Sequence, residues 1–456
     1  MAEVTIPEAL ALLAGREPGA VALRHGDQVV TRRALVDLAE RVARRWVAEG
    51  LGVDGVVVLG CADPVDLVVG AVATWRAGAT PLPLAPGLAA DERAALLDLA
   101  RPARVEDGPL DHRPGPSGTL LPEVSASSWK VATSSGSTGR PKLVRAAAPA
   151  RVDPDAAVAP FVPREAVQLV AAPPHAGAGF VYAMRGLTCG HELVLMDAPG
   201  AGGVDAGEWL RLLAAHRVSW AVLSPTTMRA IWRHPDRPGT DVSSLDGVLH
   251  LGAPCPVGLK RDWLAWLGPS RVVEVYAGTE SAGVAMIGGE DWLRHPGSVG
   301  RGVGGTRFRV LRPDGEECAP GEVGEVVMRR AAPTYSYVGA PAQDRGGWHS
   351  LGDAGRMDAE GWLWVLDRLA DLVVVDGTRV APAEVEAVLL EHPAVASAVV
   401  VGRDDGLRAV VQTDALDTVR AWAGTRLDPP LLPRGWEAVD HPLRDAAGKA
   451  RRASYR

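Results

Sequence analysis

The sequence predicts an α/β protein. A large N-terminal domain of helix-covered, mostly parallel sheets carries a small β-rich subdomain, and a small α+β C-terminal domain follows. Three observations lead there. Short apolar runs of strand length alternate with longer helical windows up to about residue 303, the pattern of parallel strands covered on both faces. Beyond that point come β-like runs separated by turn residues, and after Asp367-Arg368 both kinds mix in a short tail. At 456 residues and 47% hydrophobic content, the chain is too long for one ordinary core and rich enough to build two.

In chain order, Val56–Gly60 reads as a buried strand, and Pro64 to Ala77 as a helix stopped at Gly78. Thr80-Pro81-Leu82 returns to a strand. Asp107 to Ser125, rich in Pro and Gly, reads as a surface loop. Further strands are expected at Val167–Ala171, Glu192–Met196, Trp220–Leu223, Gly247–Leu251 and Val272–Tyr276. Between them lie helical windows such as Gly207–His216, Thr226–His234 and Val257–Leu267. The β-rich part comprises Phe308–Arg312, Glu322–Arg329 and Trp362–Leu366, with turns at Pro313-Asp314-Gly315 and Asp358–Gly361. The tail is expected to run strand Leu372–Val375, helix Ala383–Glu391, strands Ala396–Val401 and Arg408–Gln412, and a helix near Leu416–Ala423. The expected domains are 1–367 and 368–456.

A net charge of −7 argues against a nucleic-acid or polybasic membrane surface. No apolar run reaches the roughly 18 residues of a membrane span, and the first residues, with Glu3 and Glu8, do not read as a signal peptide. Cys61, Cys189, Cys255 and Cys318 lack ligand spacing and are expected as reduced core thiols of a cytoplasmic protein.

The most informative stretch is Ser134-Ser135-Gly136-Ser137-Thr138-Gly139-Arg140-Pro141-Lys142. Glycines let successive N–H groups converge on one point. The hydroxyls of Ser135, Ser137 and Thr138 add donors and Lys142 adds positive charge, a nest suited to phosphate oxygens. The spacing is not the Walker pattern. A solvated Ser/Gly linker would share this composition, and the motifs that follow remove that reading.

This run resembles the phosphate-loop signature of adenylate-forming enzymes, the superfamily of acyl-CoA synthetases, adenylation domains and luciferases. Leu143 stands where that signature has a final glycine. The resemblance extends over nearly the whole chain and looks most like the bile-acid-CoA-ligase-like branch. It implies adenine held by Gly252, Ala253, Pro254 and Tyr276, and an α-phosphate contact from Thr279. It also implies Mg²⁺ on Glu280, for which one carboxylate plus phosphate oxygens is chemically adequate. Asp353, in Leu351-Gly352-Asp353, is implied to accept from both ribose hydroxyls, as an ionised acceptor can. Arg368 is implied to contact ribose and phosphate. Ala277 replaces the family's usual glycine, and Ala370 stands where a charged hinge residue is usual.

The resemblance further implies that Gly377 belongs to the loop that the CoA-forming conformation brings to the site, with Arg379 beside it able to meet a CoA phosphate. Lys449, after Gly448, matches the adenylation lysine, whose ammonium can bridge carboxylate and α-phosphate. The C-terminal domain is thereby expected to be mobile. His175 falls where the family lines the acyl pocket, and Ala277 and Gly278 are expected beside it. Ala176, Gly177, Ala178 and Gly179 are all small, so a roomy pocket for a bulky hydrophobic acid is expected.

The expected function is an acid–CoA ligase using ATP, Mg²⁺ and CoA, with a small-molecule carboxylic acid as partner and a homodimer as one assembly. Two alternatives stay open. One is a half-reaction enzyme, suggested by Leu143, Ala277 and Ala370. The other is a nucleotide-binding module that has lost catalysis.

Overall fold

The computed structural model describes residues 3–456 apart from 117, 135–141, 157–158, 173, 198–202, 341–345, 405 and 445–451. Its largest sheet has nine strands in the order Arg301–Gly302, Val284–Gly288, Val272–Ala277, Gly247–His250, Trp220–Leu223, Val167–Val170, Glu192–Leu195, Val21–His25 and Gln28–Thr31. The six strands from Val272–Ala277 to Val21–His25 pair in parallel, and the flanking pairs are antiparallel. From Val167–Val170 the chain moves first to one neighbour, Glu192–Leu195, and then to the other, Trp220–Leu223. Such a reversal of strand order opens a crevice at the carboxyl ends of the strands, where ligands bind in open α/β sheets.

The helices between these strands arise where the sequence places them. Pro64–Arg76 starts on Asp63, whose side chain accepts from the backbone of Val65 and Asp66, and Pro225–Arg233 starts on Ser224 in the same way. Val257–Leu267 runs as expected. Trp46, Trp209, Trp263 and Trp292 are among the largest fully buried side chains of the core.

Four smaller sheets complete the N-terminal part among the described residues, one of them the two-stranded pair of Val4–Thr5 with Arg151–Val152. Val56–Leu59, Thr80–Pro83 and Arg104–Glu106 pair in parallel. Val131–Ser134, Lys142–Ala146 and Tyr335–Tyr337 form an antiparallel sheet. The β-rich part is a four-stranded antiparallel sheet of Arg307–Leu311, Gly324–Arg329, His349–Met357 and Leu363–Arg368. The C-terminal part has a hairpin, Val373–Val375 with Thr378–Val380, and the helices Pro382–Leu389 and Leu416–Ala423. Its three-stranded sheet consists of Ser397–Arg403, Gly406–Gln412 and Gly435–Val439. Val385, Leu389, Ala398, Val400, Val411 and Val419 belong to its own core.

The two parts meet through backbone acceptors. Arg229 and Arg233, on the Pro225–Arg233 helix, donate to the carbonyl oxygens of Leu390 (3.0 Å from each), His392 (3.1 Å) and Val395 (2.6 Å). Leu390 ends the Pro382–Leu389 helix, so its carbonyl is one of those a helix leaves without an internal partner. Among the described residues, no helix is long and apolar enough to cross a membrane. The four cysteines are free thiols; Cys61 and Cys189 are buried as expected, whereas Cys255 and Cys318 are only partly so.

Candidate functional site

Gly252, Ala253 and Pro254 follow the strand Gly247–His250, and Tyr276 lies near the end of the adjacent parallel strand Val272–Ala277. Both sit at the carboxyl edge of the large sheet. Gly252 and Pro254 are exposed there. Tyr276 donates its phenol hydrogen bond to Asp353 Oδ2 at 2.6 Å. Asp353 and Arg368 are directly opposed in register on neighbouring antiparallel strands, and Arg368 Nη1 reaches Asp353 Oδ1 at 3.1 Å. Arg368 also donates to the Leu351 carbonyl. Asp353 is 8% exposed. Burial raises its carboxyl above the usual range while the Arg368 guanidinium opposes that rise. Burial, then the Asp353 charge, holds the Tyr276 phenol well above its ordinary value. An acidic acceptor at the edge of the sheet, oriented by a phenol and a guanidinium, is suited to a vicinal diol.

Thr279 and Glu280 follow Tyr276. Glu280 is buried, and its Oε1 accepts the hydroxyl of Tyr337 at 3.0 Å. The Thr334 hydroxyl donates to the Glu280 carbonyl at 3.2 Å. A β-carbon at Gly278 would stand 2.9 Å from Glu280 Oε2 and 2.7 Å from Leu351, so only glycine leaves this carboxylate where it is. A buried carboxylate with one oxygen held by a phenol fits the role of a single protein ligand to Mg²⁺, which takes most of its shell from phosphate and water.

Ser134 and Lys142 are paired in register across the antiparallel strands Val131–Ser134 and Lys142–Ala146. The two residues that flank the expected phosphate loop thus stand side by side. Ser135, Gly136, Ser137, Thr138 and Gly139 lie outside the described residues. Lys142 Nζ stands 5.5 Å over the Tyr337 ring, whose hydroxyl holds Glu280. Tyr337 therefore links the loop to the glutamate. No motif marks it in the sequence; its only signal is the alternation Tyr335-Ser336-Tyr337 on a strand that pairs with Lys142–Ala146.

His175 precedes the helix Gly177–Thr188, and burial lowers its pKa, favouring the neutral ring. Gly177 opens that helix with its β-carbon position 4.0 Å from Thr279 Oγ1. Gly179, two residues further on, is buried. Of these small residues, Gly177 is the one whose missing side chain leaves room beside Thr279. Ala178 and Ala277 pack against the same apolar cluster, which includes Tyr182, Trp220, Val222 and Leu249.

Gly377 and Arg379 are not brought to this cluster. They are exposed on the hairpin turn, where Asp376 and Gly377 both have positive φ (49° and 77°), the geometry of a tight Asp-Gly turn. Lys449 lies outside the described residues.

The departures from the expected motifs find physical reasons. Leu143 is fully buried with Val58, Leu82, Leu96 and Val131. Ala277 ends its strand opposite Val284 without positive φ. Beside Ala370, Asp371 carries a charge and pairs with Arg452 (3.0 Å) and Arg456. Sequence reasoning also missed a buried trio beneath the adenine-side loop. There Lys260 contacts Glu274 at 3.1 Å and bonds His250.

The AMP-binding enzyme family model matches residues 11–107 and 121–338, and its C-terminal domain model matches 384–449. A feruloyl-CoA synthase from an Amycolatopsis species is 31% identical over 493 aligned positions, covering 96% of both chains. A 2-succinylbenzoate–CoA ligase from Bacillus licheniformis is 32% identical over 54% of this chain and 53% of its own. Among solved structures, the o-succinylbenzoate CoA synthetase of Bacillus subtilis with its acyl-adenylate intermediate superposes with TM-score 0.84 at 22% identity, covering 100% of this chain and 99% of that one. The amide bond synthetase of Marinactinospora thermotolerans gives 0.82 at 23%, covering 99% of each. The matched segments take in the Tyr276–Glu280 strand end and the tail alike, and the chain belongs to the AMP-binding enzyme family.

Proposed function

We propose that the protein is an ATP-dependent, AMP-forming acid–CoA ligase acting on a bulky, hydrophobic carboxylic acid. The observation that carries this reading is the convergence of Tyr276, Asp353 and Arg368 with Thr279, Glu280 and Gly177 at the carboxyl edge of one sheet. In the first step a carboxylate oxygen of the acid bonds to the α-phosphorus of ATP and the bond to pyrophosphate breaks. In the second, the CoA sulfur bonds to the acyl carbon, the bond to AMP breaks, and the thiol proton leaves to solvent.

Asp353 and Arg368 hold the ribose, and Tyr276 with Gly252–Pro254 flanks the adenine. Ser134–Gly139 and Lys142 hold the departing pyrophosphate. Thr279 meets the α-phosphate, and Glu280 would hold Mg²⁺, which supplies charge neutralisation on the phosphates. His175, Gly177, Gly179, Ala277 and Gly278 border the acyl group. Lys449 supplies the charge at the reacting oxygens. We place the domain boundary at 367/368, with rotation there withdrawing Lys449 and bringing Gly377 and Arg379 to the thiol. Four free cysteines agree with a cytoplasmic location. A homodimer is the proposed assembly, and light scattering reads it directly.

The test is mass spectrometry of products from a panel of ring acids with ATP, Mg²⁺ and CoA. The expected products are an acyl-CoA, AMP and pyrophosphate. Acyl-adenylate that never becomes thioester would replace this reading with the adenylation half-reaction alone.

A further inference from the structure

The strand Tyr335–Tyr337 grips Glu280 at two points. The Thr334 hydroxyl, just before the strand, donates to the Glu280 carbonyl at 3.2 Å, and the Tyr337 hydroxyl donates to Glu280 Oε1 at 3.0 Å. The second carboxylate oxygen, Oε2, accepts no hydrogen bond among the described residues, and the β-carbon that Gly278 lacks would stand 2.9 Å from it. The same strand pairs with Lys142–Ala146, Tyr337 opposite Val144. Lys142 Nζ stands 5.5 Å over the Tyr337 ring and makes no hydrogen bond or ion pair among the described residues. Tyr335 meets Tyr337 edge-on at 5.1 Å, and the Tyr335 hydroxyl lies 3.2 Å from His349 Nδ1. The Tyr337 ring is therefore set by packing as well as by its own hydrogen bond.

An ammonium and a carboxylate this close to one ring could pair with each other, and a charge-assisted pair is strong. Paired, each would be less available to a ligand. Among the described residues no ion pair joins them: Glu280 takes the phenol hydroxyl and Lys142 takes the ring face. Both contacts orient a charge without neutralising it. A triphosphate bound with a divalent cation draws on both charges, the carboxylate through the cation and the ammonium through the outer phosphates. A monophosphate has no outer phosphates for the ammonium.

We propose that Tyr337 is a positioning residue that holds Glu280 and Lys142 apart and aimed, and so sets the preference of the site for the Mg²⁺ complex of a nucleoside triphosphate over a monophosphate. This rests on the ligase reading for the roles of Glu280 and Lys142, and it adds the residue through which they act together. The side chain divides the work. Its hydroxyl fixes one oxygen of the carboxylate, which leaves Oε2 for the cation, and its ring face carries the ammonium. The two contributions are separable by substitution, because phenylalanine keeps the ring and loses the hydroxyl, whereas leucine loses both.

The test is calorimetry of ATP binding across a series of Mg²⁺ concentrations with no acid present, beside AMP binding without Mg²⁺. Tyr337→Phe should raise the Mg²⁺ concentration for half-maximal ATP binding about 10-fold, the low end for a hydrogen bond to a charged group. Its AMP affinity should stay within about twofold of wild type, since a monophosphate bound without Mg²⁺ does not draw on the Glu280 brace. Tyr337→Leu should in addition weaken ATP binding at saturating Mg²⁺ by about 3-fold, the scale of an exposed cation–π contact. In turnover, the loss should appear in KM for ATP and not in KM for the acid. Melting temperatures report folding, and where the leucine variant does not fold, the phenylalanine variant decides. Wild-type Mg²⁺ dependence in Tyr337→Phe overturns the proposal. Equal losses for ATP and AMP overturn it too, because they mark a merely structural role. Wild type that binds ATP with Mg²⁺ yet activates no acid overturns the ligase reading, and the variants still decide the role of Tyr337. Wild type without Mg²⁺-dependent ATP binding overturns both.

Discussion

Arg452 donates from Nη1 to Asp367 Oδ1 at 2.5 Å, tying the end of the chain to the last strand of the β-rich sheet. The same guanidinium reaches Asp371 and Glu386, each at 3.0 Å, and Arg444 joins Glu386 from the other side. Asp367 also accepts from the backbone of Ala383 at 2.8 Å, at the start of the next helix. The guanidinium is thus the hub between the β-rich sheet, the proposed hinge and the C-terminal core. Removing one partner of a buried ion pair strands the others, at a cost of about 3–5 kcal/mol. Arg452→Ala should therefore lower stability on that scale in denaturant unfolding. A loss under about 1 kcal/mol, typical of exposed pairs, would show the network to be solvated.

Lys449 stands three residues before this tether. Lys449→Ala is expected to slow acyl-adenylate formation by roughly 10²–10³, the scale of one preorganised charge donor. Thioester formation from pre-made adenylate should fall far less. Equal losses in both half-reactions would contradict the two-orientation mechanism.

Asp353→Ala should weaken AMP binding by about 1.5–3 kcal/mol, since a charged acceptor is lost. Calorimetry reads this directly. Unchanged affinity would remove Asp353 from the nucleotide site and leave its bond to Tyr276 as a brace.

Gly177→Phe would project a ring toward Thr279 from a β-carbon 4.0 Å away. A large ring acid should lose much more kcat/KM than acetate or propionate. Equal losses would mean that the helix start does not border the acyl group.

Stability should fall on mild acidification. Burial pushes His191 down to about 4, and burial followed by Lys260 holds His250 well below its ordinary value. Unfolded, both take protons near pH 6.5; folded, they do not. Their contribution is present above about pH 6.5 and is lost as pH falls toward the folded value, by up to about 1.4 kcal/mol per pH unit for one group. Denaturant midpoints at pH 7.5 and 5.5 measure the slope, and His191→Gln should flatten it. A slope identical to wild type would show that His191 titrates normally.

The sheet strands and the motif residues were legible because each depends on local signals. Val167–Val170 and Trp220–Leu223 are apolar runs of strand length, and the Tyr276–Glu280 segment is contiguous. The partners that complete the site were hidden because they come from afar. Tyr337 meets Glu280 across 57 positions, and Arg452 meets Asp367 across 85. The hairpin of Val21–His25 and Gln28–Thr31 and the strand Gly435–Val439 are not legible in the sequence, because short strands of mixed polarity carry little periodicity.

The grip of Arg229 and Arg233 on Leu390, His392 and Val395 divides its dependence on sequence unequally. Its acceptors are main-chain oxygens, which every residue type supplies. Substitutions at these three positions can therefore alter the joint only by bending the backbone path, whereas either arginine can be lost in a single replacement. The C-terminal face of this contact is free to drift, and its specificity resides on the nine-residue helix Pro225–Arg233.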